Sequence, residues 1–334
     1  MKNDQLRTIY PFGDGHPRID MESYRLDCEK FTQPEALTEA VHQQWQDKGL
    51  VVLANTGMTH LSELQKYGEM IFADFTRYEG GSAPRNMWSD KVFGIDDTPC
   101  HIDMCYHNEA CYLPSFPQCF VIGSLSSLSR GGETLASNNE ATTDALMETD
   151  LGQTLKEKGI RYVRNMTDKY ATDVMVYKHW QDTFYTDSKA EAENYVKAQG
   201  WDHEWLADGT LRTSYVVDAF EYHDRLGKDL YFAGLVSHAA FFDQWPGFNN
   251  LPDAERPFTM ELGDGTPLSD DDIATVYAAY NQASVALEWQ RADVAIIDNL
   301  RWSHARPAYQ LQDGETRVMG VTMGMMKNRS GSRS

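Results

Sequence analysis

Cysteine, positive charge and long apolar runs are all in short supply in this chain of 334 residues. The five cysteines are Cys28, Cys100, Cys105, Cys111 and Cys119; the number is odd and four of them crowd into one stretch, which argues against a disulfide framework. None forms a Cys-x-x-Cys pair, so a thiolate zinc site is not expected either. Lysine and arginine total 30 against 50 acidic residues, a formal net charge of −20. Such a surface repels phosphate backbones and anionic lipids, so neither nucleic acid nor a membrane is an expected partner. Apolar runs such as Val294-Ala295-Ile296-Ile297 fall far below the ~20 residues that span a bilayer. The opening Met-Lys-Asn-Asp-Gln has no apolar run behind it, and the resulting expectation is a cytoplasmic enzyme.

What is present is ordinary globular usage, with 41% hydrophobic and 12% aromatic residues, enough to build a sizeable core. No internal repeat or low-complexity linker divides the chain. A single domain over residues 1–327 is therefore expected, followed by a frayed polar tail, 328–334. Thr32-x-x-Glu35 reads as a capping box, with Leu37, Val41 and Trp45 at helical spacing before Gly49. A second helix is expected after Thr59, with Leu61, Leu64 and Ile71 inward, and a third from Ser188 to Gly200. The clearest begins at Ser269, where three aspartates complement the helix dipole and Ile273, Val276, Tyr277 and Tyr280 share a face. Short β-rich runs are expected near 50–53, 119–125, 161–166, 231–236, 294–298 and 317–326. Helices around many short strands suit a mainly β fold with flanking helices, a double-stranded β-helix or jelly roll, better than a doubly wound sheet. The stretch 167–215 carries no interpretable motif and is expected to supply covering loops.

The chemistry concentrates in His101-Ile-Asp103-Met-Cys-Tyr-His107-Asn-Glu109, which holds two His-x-acid pairs. On a strand, positions i and i+2 project from one face, so either pair could offer an imidazole and a carboxylate to one ion. With a distant histidine this is the donor set of a 2-His-1-carboxylate Fe(II) site. Two further segments supply context: Gly131-Gly132-Glu133-Thr134, and Asp298-Asn299-Leu-Arg-Trp-Ser-His304-Ala-Arg306-Pro-Ala-Tyr309 followed by Arg317.

In this order and spacing the chain resembles the taurine dioxygenase/clavaminate synthase-like family of Fe(II)- and 2-oxoglutarate-dependent oxygenases, over about residues 51–322. Weaker echoes are Tyr78-Glu-Gly-Gly-Ser-Ala-Pro-Arg85 and Trp289-Gln290-Arg291-Ala292-Asp293. The resemblance implies that His107, Glu109 and His304 bind Fe(II), with 2-oxoglutarate and O₂ as co-substrates. It further implies that Arg317 pairs with the distal carboxylate of 2-oxoglutarate and that Thr134 donates its hydroxyl to the same group. His107/Glu109 is preferred to His101/Asp103 because Thr134 then follows at the family's spacing and Tyr112, Pro114 and Pro117 supply its downstream context. Ala305 stands where the family often has glycine. Glu109 occupies the slot that related halogenases leave open for chloride, so halogenation is not expected. Arg85, Arg306 and His238 are weaker candidates for contact with substrate.

The implied reaction oxidises an unactivated C–H bond of a small molecule. Hydroxylation is the default, while desaturation and oxidative ring closure use the same ligands. The expected substrate is a free amino acid or an amino-acid-derived metabolite of specialised metabolism. A His₂-Glu zinc hydrolase and a non-catalytic jelly-roll binding module are the alternatives, and a homo-oligomer is left open.

Overall fold

The computed structural model describes residues 21–76, 87–95, 98–171, 177–234, 239–330 and 332–333. Its centre is a pair of facing sheets. The first has six strands in the order β1 (Arg25–Asp27), β2 (Leu50–Ala54), β14 (Val294–Asp298), β5 (Ser115–Ser124), β16 (Met319–Asn328) and β3 (Phe93–Gly94). The second has four, in the order β13 (Ser284–Leu287), β6 (Thr134–Asn138), β15 (Trp302–Arg306) and β4 (Met104–His107). A third sheet runs β12 (Phe258–Leu262), β7 (Ile160–Met166), β9 (Leu211–Val217) and β17 (Ser332–Arg333), with β8 (Asp202–Trp205) also on β9. The hairpin β10 (Phe220–His223) and β11 (Lys228–Tyr231) forms its own two-stranded sheet. The fold is thus mainly β with flanking helices, and the sheets do not close into a barrel.

Strand alternation explains the layering. In β2, β5 and β14, Leu50, Val52, Phe120, Ile122, Ala295 and Ile297 point between the two facing sheets, where they meet Ala136, Val285 and Trp302. Their chain neighbours Val51, Leu53, Cys119, Val121, Val294 and Ile296 point the other way, onto Val41 and Trp45 of helix Pro34–Lys48 and onto Leu61 and Leu64. Both faces are apolar, so these strands read as unbroken hydrophobic runs, the signature of a strand covered on both sides. The remaining and largest core joins the third sheet to helix Asp270–Gln282, through Tyr162, Tyr215, Val276 and Tyr280.

Several local expectations shift. Helix Pro34–Lys48 starts on Pro34 with Gln33 as its cap and no side-chain capping bond, so Thr32 does not form the box; proline already sets the helical φ at the first position. The helix expected from Ser269 is present as Asp270–Gln282, and Ser269 forms a capping box with Asp272. The second helix is short, Leu64–Gly68 after a single 3₁₀ turn, and leaves Ile71 outside it. Within 167–215 the helix expected from Ser188 is present as Lys189–Ala198, capped by Ser188, but the rest is not all loop: helix Trp180–Phe184, β8 and most of β9 also lie there.

The described C-terminal residues, 328–330 and 332–333, are held rather than frayed. The Arg329 guanidinium is buried against the Cys111 and Asp218 carbonyls, Ser330 donates to the buried Glu221 carboxylate, and β17 pairs with β9. An acceptor-rich burial site holds this tail, which its polar composition did not reveal. All five cysteines are free thiols, and no helix among the described residues is long and apolar enough to cross a membrane.

Close approach constrains Gly324, where β16 meets Phe75 in an isolated bridge. A Cβ there would lie 2.5 Å from the Asp74 carbonyl oxygen and collide with the Phe72 ring. Gly324→Ala should therefore lower unfolding free energy by about 1–3 kcal/mol. Urea denaturation monitored by tryptophan fluorescence checks this, and an unchanged midpoint contradicts it.

Candidate functional site

Alternation along β15 sends Trp302, His304 and Arg306 toward the six-stranded sheet. His304 sits at the middle of the strand, opposite Ala136 of β6 on one side and His107 of β4 on the other. The two imidazoles lie 4.1 Å apart between ring centroids, and Phe120 closes on His304 at 4.8 Å. Glu109, two residues past the end of β4, brings its Oε2 to 4.0 Å from His304 Nε2. Among the described residues, His107, Glu109 and His304 form a cluster whose ligand atoms all fall within 4.8 Å of one another. His101 is exposed and not in this cluster. Asp103 instead accepts from the Ala308 amide at 2.5 Å, and its own amide donates to Gln244.

The donor set fits a divalent metal. The Nδ1 of His107 lies 2.8 Å from the Cys105 carbonyl, which calls for the hydrogen on Nδ1 and leaves Nε2 as the ligand atom. Glu109 and His304 are 5% and 8% exposed, a depth at which a carboxylate and an imidazole call for a shared cation.

A pair of asparagines places the carboxylate. The Asn299 side chain accepts from the Glu109 amide at 2.8 Å and donates to the Glu109 carbonyl at 2.9 Å and the Pro117 carbonyl at 2.8 Å. Asn108 returns the contact, donating to the Asn299 carbonyl at 2.6 Å and the Trp302 carbonyl at 3.3 Å. Both are buried. This turn ends at Ala110, whose φ of 57° is left-handed.

At the other end, Thr134 opens β6, two residues before Ala136 and on the same face. Its Oγ1 accepts from Trp289 Nε1 at 3.0 Å, which leaves the hydroxyl hydrogen available to an anion. Arg317 approaches through its Nε, which donates to the Gly132 carbonyl at 3.2 Å. Gly131 and Gly132 have φ of 75° and 77°, and a Cβ on Gly131 would meet Tyr309 at 2.9 Å, so the glycine pair is required by both conformation and space. Burial, and then the nearby Arg306, push the Arg317 guanidinium down to about 10. No ion pair holds this guanidinium among the described residues, with Glu133 acting only as a nearby charge, so an incoming carboxylate is favoured.

Arg306, a candidate for substrate, spends its guanidinium on the carbonyls of Thr98, Pro99 and Ile102 at 2.8–3.3 Å, tying down the approach to β4. Arg85 and His238 lie outside the described residues. Sequence reasoning missed the roles of Asn108, Asn299 and Trp289. Asn299 and Trp289 stood inside quoted motifs, but nothing local says that an asparagine side chain will bond a turn 190 residues away.

The model of the taurine catabolism dioxygenase TauD, TfdA family matches residues 11–323. The dapdiamide synthesis protein DdaC of Enterobacter agglomerans is 24% identical over 310 residues, 91% of each chain. A clavaminate synthase-like protein of Arabidopsis thaliana is 26% identical over 278 residues, 82% of this chain and 81% of that one. In fold, the structure of AAD-2 in complex with Mn(II) and N-oxalylglycine superposes with a TM-score of 0.50 at 12% identity, covering 95% of this chain and 98% of that one.

Removing the asparagine clasp tests the geometry. Asn299→Ala strands three buried backbone partners and should cost about 3 kcal/mol in chemical denaturation. A loss below about 0.5 kcal/mol would mean that the turn does not need the clasp.

Proposed function

This chain belongs to the taurine catabolism dioxygenase TauD, TfdA family, whose members are non-haem Fe(II)- and 2-oxoglutarate-dependent dioxygenases, and on that premise we propose that His107, Glu109 and His304 hold the iron while Arg317 and Thr134 hold 2-oxoglutarate. The convergence of the two imidazoles and one carboxylate within 4.8 Å is the observation that carries the reading. When bound, Fe(II) with 2-oxoglutarate and O₂ supplies an oxidative decarboxylation, to succinate and CO₂, that drives cleavage of a substrate C–H bond.

The residues' own work is placement. His107 keeps its Nδ1 hydrogen on the Cys105 carbonyl and presents Nε2. Glu109 occupies the third ligand position, which supports oxygenation over halogenation. The Arg317 fork binds a carboxylate in two parallel hydrogen bonds, and the Thr134 hydroxyl adds a third. A zinc hydrolase would have no use for a cation and a hydroxyl arranged this way.

For substrate we favour a free amino acid or a small amino-acid-derived metabolite, with hydroxylation as the default outcome. Support comes from similarity to a relative named for dapdiamide synthesis.

Anaerobic titration with Fe(II) and 2-oxoglutarate should produce a visible charge-transfer band that His107→Ala abolishes. Arg317→Met should raise the half-saturating 2-oxoglutarate concentration roughly 30- to 150-fold, the equivalent of about 2–3 kcal/mol for charge-assisted bonds. Iron binding without a band would reject 2-oxoglutarate as co-substrate. In a separate screen, free and derivatised amino acids should raise succinate yield over the substrate-free rate. Stimulation by sulfonates or aryloxyacids alone would reject the substrate class.

A further inference from the structure

The β10–β11 hairpin pairs with neither facing sheet, yet its turn reaches the metal end of the sandwich. His223 Nε2 and Arg225 Nη2 both meet Oδ2 of Asp298, at 3.0 and 2.8 Å. The other Asp298 oxygen accepts from the Leu300 and Arg301 amides at 3.1 and 3.3 Å. His223 Nδ1 accepts from the Leu226 amide at 3.3 Å, so the ring hydrogen sits on Nε2 and is donated to the carboxylate. Arg225 is held in turn by stacking at 4.3 Å over Trp45 of helix Pro34–Lys48.

Asp298 is 2% exposed and receives four hydrogen bonds, two of them from this hairpin. It immediately precedes Asn299, whose side chain grips Glu109 at both its amide and its carbonyl. A buried carboxylate bonded on both oxygens has one orientation, and the next peptide inherits it. We propose that His223 and Arg225 are positioning residues of the metal site, acting through Asp298 and Asn299 to fix the backbone of Glu109. The inference rests on the reading of His107, Glu109 and His304 as ligands. Neither residue touches the ligand atoms; their effect is to hold the carboxylate still, and metal sites lose affinity when such outer supports are removed.

The test is Mn(II) binding, read from the loss of the free-ion EPR signal, for wild type, His223→Leu, His223→Gln and Arg225→Met. Thermal unfolding of each metal-free protein is measured alongside. His223→Leu and Arg225→Met should weaken Mn(II) binding by about 10- to 100-fold at temperatures where both are fully folded. His223→Gln keeps an N–H donor within reach of Asp298 and should recover most of the affinity. A lowered unfolding temperature with unchanged Mn(II) affinity assigns the hairpin to fold stability alone and overturns the proposal. Should His223→Leu not fold, Arg225→Met, whose side chain is about a third exposed, decides on the same terms. Failure of wild type to bind Mn(II) would remove the ligand reading itself, a result distinct from equal binding by wild type and variants.

Discussion

The site depends on the hydrogen bonds that the Asn299 carboxamide makes to the backbone of Glu109. His304 stands in the middle of a strand flanked on both sides, and His107 ends a strand paired to it, so ladder hydrogen bonds hold both. Glu109 lies beyond the last rung, on a turn that the sheet does not hold. Unsupported, such a turn would wander by more than a metal site tolerates. The Asn299 carboxamide restores the missing rungs by satisfying both backbone groups of Glu109, while the Asn108 side chain donates to the Asn299 and Trp302 carbonyls and so holds Asn299 in place. A carboxylate on a loop thereby gains the rigidity of a carboxylate on a strand.

The two ends of the site are built on different physics. The end that holds His107, Glu109 and His304 has its backbone fixed by ladder and carboxamide hydrogen bonds. The carboxylate end holds a desolvated arginine whose nearby cation Arg306 raises the cost of its charge. The double glycine before Thr134 lets the Gly132 carbonyl and the Tyr309 side chain pack close to this cation. Motif residues that look like a single signature thus divide into those that touch the ligand and those that shape the backbone around it.

Much of the fold was legible in local pattern. The helix start at Ser269 and the apolar runs at Leu50 and Val294 became the elements expected of them, since helix starts and strand burial are short-range matters. Thr32 failed as a cap because Pro34 had already fixed the helix start. The tail beyond residue 327 looked frayed from its polar composition. Its arginine and serine instead dock on carbonyls and a carboxylate contributed by distant parts of the chain. Residues 167–215 hid β8 and most of β9 because β9 is held by β7, some 50 residues upstream, and β8 in turn pairs only with β9.

The residues of the proposed donor set, their order and the membership of a dioxygenase family were readable along the chain, because metal and carboxylate chemistry admit few side chains and those residues recur at set spacings. Tertiary structure decided what each surrounding polar group is for. Arg306 turned toward loop carbonyls, Asn299 toward Glu109, and His223 toward Asp298. These are relations between groups far apart in the chain, fixed by strand register and by the need to satisfy every buried donor and acceptor, and no local pattern records them.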